Sequence, residues 1–275
     1  MPDSGQTDHP AFCPFGVADP PPDEPGLTCP SGPLVSSCDG PMFPLKDDLA
    51  SRTFPFVTVL LIFANALVFV YQASLQIGAA SLDPHAAEDF VLEFGLVPCR
   101  LTGACAAPSG LPHPVVTVFS SMFLHGGFLH IMGNMLYLWI FGNNVEDTLG
   151  HGRYLAFYLL SGILAALVQT AFHPDARVPM IGASGAVAGV LGAYLLLFPH
   201  ATILTLLILG FFIRLVHMPA VIVLGFWFVV QFANGLIERS LGDVAGGVAW
   251  FAHIGGFLAG MALLFLMRPR RWARL

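Results

Sequence analysis

Long apolar runs separated by short polar segments dominate the chain from about residue 55 onward. A helix needs about 20 mostly apolar residues to cross a bilayer. Five runs have this character: 55–75, 154–172, 181–198, 218–237 and 244–267. Each is predicted to form a transmembrane helix.

Two further apolar runs have a different character. Residues 115–141 begin with PVVTVFSS, which suits a loop, so we predict the helix itself at about 127–143. Residues 201–213 are too few to span a bilayer, so we predict an interfacial or partly buried segment there. The pattern therefore predicts an all-α polytopic membrane protein with a bundle of six transmembrane helices.

The composition agrees with a membrane protein. The chain is 56% hydrophobic and 10% charged, whereas soluble domains average about 25% charged residues. Its net charge of −6, without a basic stripe, argues against nucleic acid as a partner. The N-terminus lacks a basic region followed by an apolar run, so we expect no cleavable signal peptide.

The two ends of the chain differ from the apolar middle. Residues 1–50 are rich in Pro, Gly, Asp and Ser and are predicted to form a flexible tail. The tail contains three cysteines, Cys13, Cys29 and Cys38, which we interpret as free thiols. The spacing of His9 and Cys13 also allows a metal clip. Residues 51–267 are predicted as the helical domain, and 268–275 as a basic C-terminal tail.

Basic residues set the predicted orientation. With six spans, one side of the membrane carries eight of them: Lys46, Arg52, Arg153, Arg214, Arg268, Arg270, Arg271 and Arg274. The other side carries three: Arg100, Arg177 and Arg239. The positive-inside rule then places both termini in the cytoplasm, and we expect a plasma or inner membrane. The 76–126 segment lies outside, where we predict a disulfide between Cys99 and Cys105.

Four polar side chains fall at one depth in the predicted helices. Ser184 begins the fourth span, His253 lies in the outer half of the sixth, and His130 and Asn134 share one face of the second. At 1.5 Å per residue all four lie about 5–13 Å below the outer surface. A seven-span alternative would invert the last helix and separate His253 from Ser184.

These residue types suit hydrolysis of an amide bond. A serine hydroxyl needs a base, which His253 can provide for Ser184. The ring N–H of His130, the side-chain amide of Asn134 and the backbone N–H of Ser184 could stabilise an oxyanion. No Asp or Glu falls within the predicted third to sixth spans, so a Ser-His dyad is expected rather than a triad. Taken singly, each residue also fits helix packing or interhelical hydrogen bonding, and Gly256 with Gly260 is interpreted as a packing pair.

Four stretches together resemble the rhomboid family of intramembrane serine proteases. They are HGGFLHIMGN at 125–134, EDTLG at 146–150, GASGAVAGVLGAY at 182–194 and AHIGGFLAG at 252–260. In order and spacing the resemblance covers about residues 42–267.

The resemblance implies a compact six-helix bundle with a water-filled cavity that opens outward. It implies a serine endopeptidase with Ser184 as nucleophile, His253 as base, and His130 and Asn134 as oxyanion donors. The implied substrates are single-span or multi-span membrane proteins in the lipid bilayer, cut near the outer ends of their helices. Small residues at the cleaved bond and a locally unstable substrate helix are implied preferences. No metal or cofactor is implied.

The sequence departs from the family's pattern at two places. Familiar bacterial members have a Tyr one turn after the nucleophile, beneath the base, and here that position is Ala188. The Trp-Arg pair often found in the long first loop is also absent, and Arg100 stands alone there. The residue that orients His253 and the anchoring of the loop therefore stay open.

Two other functions compete with proteolysis. A rhomboid-like protein without activity would bind membrane clients without cutting them, although such proteins typically lose the serine or histidine that this chain keeps. A transporter would also place polar groups inside the membrane, but no charged residue lies deep in the last four predicted spans. No His-Glu-x-x-His motif or intramembrane aspartate pair indicates another protease class.

Overall fold

The computed structural model describes residues 42–79, 85–106, 110–209, 212–241 and 248–267. The three tail cysteines, His9 and the basic C-terminal tail lie outside these residues. The helices, in chain order, are α1 Phe56–Ala79, α2 Ala86–Phe94, α3 Pro98–Thr102, α4 Pro114–Ser120, α5 Phe128–Leu149, α6 His151–Phe172, α7 Ser184–Leu197, α8 Ala220–Leu241 and α9 Trp250–Met267. The strands are β1 Met42–Asp47, β2 Thr202–Leu209 and β3 Phe212–Pro219.

The described residues contain four helices that are long and apolar enough to cross a membrane: α1, α6, α8 and α9. The segment from α4 through the adjoining 3-10 turn joins α5 at an angle of 81°, and this bent pair gives a fifth candidate if it counts as one span. Helix α7 has only 14 residues. The protein is therefore a mostly helical integral membrane protein, and four to five spans meet the length criterion rather than the six predicted.

A three-stranded antiparallel sheet, with the order β1-β2-β3, shows that the prediction of an all-α protein is wrong. The segment predicted at 201–213 as interfacial or partly buried contains β2, which is partly buried. Residues of β2 alternate in burial, with Ile203 and Thr205 fully buried, which is the period of a strand with one covered face.

Strand β1 also corrects the extent of the predicted flexible tail, because residues 42–47 belong to the sheet. Its buried Asp47 accepts hydrogen bonds from Asn144 Nδ2 at 2.6 Å and from Tyr194 Oη at 2.8 Å. Burial raises the pKa of Asp47, and the Tyr194 hydrogen bond opposes that shift. The strand is thus fixed both by its ladder with β2 and by polar contacts to α5 and α7.

Helix α7 packs closely against its neighbours. A Cβ atom at Gly256 would collide with the carbonyl oxygen of Gly185, and one at Gly260 with that of Gly189. The predicted packing role of Gly256 and Gly260 is therefore confirmed. Because these positions lack side chains, the backbones of α7 and α9 approach each other directly.

Two acidic side chains at the end of α5 anchor the start of α1. Glu146, which is fully buried, accepts hydrogen bonds from the backbone N–H groups of Val57 and Thr58 at 2.8 Å each. Asp147 accepts from the backbone N–H groups of Arg52 and Thr53. Glu146 thereby satisfies backbone donors that α1 leaves free at its N-terminus, whereas Asp147 holds the segment that precedes the helix.

The segment between α1 and α5 is held by covalent and polar contacts. Cys99 and Cys105 form the predicted disulfide, with their Cα atoms 5.2 Å apart. Arg100 donates to the Leu92 carbonyl oxygen at 2.7 Å, and Leu96 pairs with Met180 in an antiparallel bridge. The absent Trp-Arg pair is thus replaced by other anchors, one of which reaches the strand-like segment just before α7.

Candidate active site

Ser184 is the first residue of α7, directly after a turn that requires glycine. Gly182 has a φ of 129°, in the left-handed region, and a Cβ atom there would lie 2.9 Å from His130 Nε2. The turn therefore places Ser184 beside the ring of His130. As the first helical residue, Ser184 has a backbone N–H with no intrahelical acceptor, so this donor suits an anionic ligand.

His253 meets Ser184 across the glycine-lined contact of α7 and α9. Its Nε2 atom lies 2.8 Å from Ser184 Oγ, although the two residues are 69 positions apart. His253 is buried in the first turn of α9. The start of that helix is held by Gln169, whose Oε1 accepts a hydrogen bond from the Ala252 N–H at 3.0 Å. The structure thus brings together the two residues predicted to act as nucleophile and base.

Gln231 of α8, which is buried, forms the second polar contact of His253. Its Oε1 atom lies 2.7 Å from His253 Nδ1. Because a carbonyl oxygen only accepts, this contact requires the proton of the neutral ring on Nδ1 and leaves the Nε2 lone pair facing Ser184 Oγ. Sequence reasoning missed Gln231. The available signal was a polar side chain inside a predicted apolar span, which marks a functional candidate by default.

Two tryptophans flank the His253 ring. The centroid of Trp227 lies 6.0 Å from that of His253, and the centroid of Trp250 lies 6.3 Å away.

Helix α8 also extends beyond the predicted end of its span, so Glu238, predicted in a loop, lies within the helix. The partner of His253 Nδ1 is nevertheless the neutral Gln231.

His130 presents a hydrogen-bond donor toward the turn that precedes Ser184. Its Nδ1 accepts from the Gly126 N–H at 3.3 Å, so the proton of the neutral ring is on Nε2, the atom that faces Gly182. The ring of His125 packs edge-on against His130 with centroids 5.2 Å apart. His130 therefore has the tautomer and position that an oxyanion donor near Ser184 needs.

Asn134, one turn after His130 in α5, is buried. Its Nδ2 donates to the His130 carbonyl oxygen at 3.0 Å. An amide nitrogen carries two hydrogens, so one N–H remains beyond this bond. The contact fixes the amide in position and also shows that Asn134 has a local structural role.

The structure therefore brings Ser184, His253 and His130 together, and Asn134 lies one turn along α5 from His130. The cluster contains a serine hydroxyl next to a histidine ring nitrogen, an amide oxygen on the opposite ring nitrogen, and N–H donors near the start of α7. Within the described ranges, no group of three or more His, Cys, Asp or Glu side chains could hold a metal ion. The chemistry available is general-base activation of a serine hydroxyl inside an apolar helix bundle.

The fold and this cluster define an integral membrane protein with a paired serine and histidine. The rhomboid domain model matches residues 112–270, more than half of the chain. The chain belongs to the rhomboid family.

Curated relatives agree with this assignment. RHOMBOID-like protein 5 of Arabidopsis thaliana is 35% identical over 155 residues, which are 56% of this chain and 45% of that protein. Rhomboid protein 1, mitochondrial, of Saccharomyces cerevisiae is 32% identical over 152 residues, 53% of this chain and 40% of that protein. Rhomboid protease GluP of Bacillus subtilis is 36% identical over 146 residues, 53% of this chain and 25% of that protein. The matched part of the chain spans less than half the length of each of these relatives.

Proposed function

We propose that this protein is an intramembrane serine protease that hydrolyses peptide bonds in or near transmembrane segments by a Ser184-His253 dyad. The observation that carries the proposal is the 2.8 Å contact between Ser184 Oγ and His253 Nε2. Membership of a family in which one relative is named a protease supports it.

In the proposed reaction, Ser184 Oγ attacks the carbonyl carbon of the scissile bond while His253 Nε2 accepts its proton. The oxyanion is stabilised by the Ser184 backbone N–H, His130 Nε2–H and the remaining N–H of Asn134. Collapse of the intermediate breaks the C–N bond, and His253 returns the proton to the leaving amine. Water, activated by the same histidine, then hydrolyses the acyl-enzyme.

We propose a bundle of six membrane helices, in which the short α7 counts as a span because it is surrounded by other helices. Fourteen residues cover about 21 Å, less than the hydrocarbon thickness. A helix packed inside a bundle does not need to match that thickness, since protein rather than lipid surrounds its ends. Ten of its residues, from Gly185 to Tyr194, are buried.

We further propose that both termini lie in the cytoplasm and that the site opens to the outside of a plasma or inner membrane. The distribution of basic residues supports this orientation. The disulfide between Cys99 and Cys105 also supports it, because such bonds persist in oxidising compartments. The proposed partners are lipid and membrane-protein substrates, with small residues at the cleaved bond.

A rhomboid-like protein that binds membrane clients without cutting them would have the same fold. A direct cleavage assay distinguishes this function from proteolysis. Purified protein in detergent is incubated with a generic single-span substrate, beside Ser184→Ala and His253→Ala. We expect two product fragments from the wild type and none from either variant, with all three proteins folded. Equal cleavage by Ser184→Ala, or an intact substrate with every protein, would contradict the proposal.

A further inference from the structure

Gln231 is placed to act on the base from a third helix. It lies in α8, whereas the serine and histidine lie in α7 and α9. The side chain is 4% exposed, and its Oε1 atom is 2.7 Å from His253 Nδ1. Burying an amide in an apolar bundle is unfavourable unless its polar atoms find partners. The Oε1 atom of Gln231 thus finds its hydrogen-bond partner in His253 Nδ1, the ring nitrogen that faces away from Ser184.

We infer that Gln231 is a positioning residue that holds His253 in the orientation and tautomer required of the base. The inference rests on the proposed function. A neutral imidazole has its proton on either nitrogen, and only the form protonated on Nδ1 can accept the Ser184 proton at Nε2. The glutamine carbonyl selects that form.

The surroundings of His253 explain why a polar anchor matters here. Ala188, one turn after the nucleophile, is fully buried and has no ring to pack beneath the histidine. Trp227 and Trp250 flank the ring, with centroids 6.0 and 6.3 Å from the His253 centroid. Apolar packing of this kind does not select which ring nitrogen carries the proton, whereas the hydrogen bond at Nδ1 does. An amide provides this acceptor without burying a negative charge.

Substitutions at Gln231 separate positioning from simple packing. Gln231→Met keeps the length and apolar volume of the side chain but removes the amide, and Gln231→Glu keeps an acceptor oxygen at the same reach. Asn234→Leu removes a half-buried amide one turn along α8 and is the matched control. For each variant we would measure kcat and KM with the single-span substrate, melting temperature, and the rate at which a fluorophosphonate labels Ser184.

We expect Gln231→Met to lower kcat about 10- to 100-fold, because the variant loses part of the rate that a positioned general base contributes. KM should change less than about twofold. Labelling of Ser184 should slow by a similar factor, because it also needs a correctly oriented base. Gln231→Glu should recover most of the lost rate, and Asn234→Leu should keep the wild-type rate. If Gln231 only ties α8 to α9, Gln231→Met would lower the melting temperature while the folded fraction keeps full kcat, and that result would overturn the inference.

Two further outcomes keep this inference distinct from the proposed function. If Gln231→Met does not fold, Gln231→Asn is used instead, because its side chain is one methylene shorter and moves the oxygen away from His253. Undiminished kcat in Gln231→Asn would overturn the inference. If the wild type labels at Ser184 without cutting any substrate, the proteolytic proposal fails. The labelling rates of the Gln231 variants then still decide whether this residue positions the base.

Discussion

Gly256 of α9 packs directly on the carbonyl oxygen of Gly185, the residue that follows the nucleophile in α7. No side chain separates the two helices at this point. His253 lies three residues before Gly256, and Ser184 lies one residue before Gly185. The close backbone contact and the hydrogen bond between serine and histidine are therefore parts of the same helix pair, and widening the contact would separate the two side chains.

We predict that Gly256→Ala lowers stability and turnover together. Its new methyl group would overlap the Gly185 carbonyl, a rigid backbone atom, and overpacking of this kind typically costs about 1–3 kcal/mol. Melting temperature and kcat on the same preparation check this. Gly225→Ala in α8 is the control, because nothing lies within 4 Å of a Cβ atom there. Wild-type stability in Gly256→Ala would contradict the described contact.

Gly182→Ala should impair turnover through the oxyanion site. A Cβ atom would lie 2.9 Å from His130 Nε2, and the φ of 129° is strained for any other residue. The His130 ring must then move away from the start of α7. We expect a loss of kcat that exceeds any loss in substrate binding, measured as separate kcat and KM values. A variant with unchanged kcat would show that the position of His130 is irrelevant to the reaction.

Asn134→Ala is predicted to cut slowly rather than not at all. Removing one oxyanion donor costs on the order of 10²–10³ in kcat. We expect about 10- to 100-fold here, because His130 and the Ser184 N–H are proposed to donate to the same oxygen, and KM should change little. The double variant with His130→Ala should lose less than the product of the two single losses.

The hydrogen bond from Asn134 to the His130 carbonyl oxygen suggests a competing, purely structural role for Asn134. If the amide only stabilises that turn of α5, Asn134→Ala lowers the melting temperature while the folded fraction keeps nearly full kcat. Measuring both quantities on one preparation separates the roles. Full kcat with a depressed melting temperature would defeat the oxyanion role.

The disulfide provides a prediction about stability and location. Loss of the bond between Cys99 and Cys105 should cost about 2 kcal/mol for a loop of this length, while leaving kcat of the folded protein near the wild-type value. Denaturant unfolding of the Cys99→Ser/Cys105→Ser variant measures this cost. Alkylation of the wild type without reduction should leave both cysteines unmodified in mass spectra. Free thiols at both positions in protein taken from an oxidising compartment would refute the bond.

Apolar run length predicted the long helices well, because a membrane helix has a local hydrophobic pattern. The positions of α1, α6 and α8 differ from the predicted spans by a few residues at their ends. Ser184 and His253 were predicted together because six spans place both in the same outer layer. Their contact in the structure agrees with that argument.

The sheet and Gln231 were missed for different physical reasons. Pairing of β1 with β2 joins Met42 to Leu207, and such long-range register leaves no local signal in a run that is apolar throughout. Gln231 did carry a signal, as a polar residue in an apolar span. Its partner could not be deduced, since the rotation of α8 about its axis depends on packing against α9.

Activation of Ser184 by His253 can be tested by covalent labelling, without knowledge of the natural substrate. A fluorophosphonate would be added to wild type and His253→Ala in the same detergent, and peptide mass spectrometry would locate and time the adduct. We expect a single adduct on Ser184 in the wild type, formed at least about 10²-fold more slowly in His253→Ala. An adduct elsewhere, no adduct at all, or equal rates in the two proteins would contradict it.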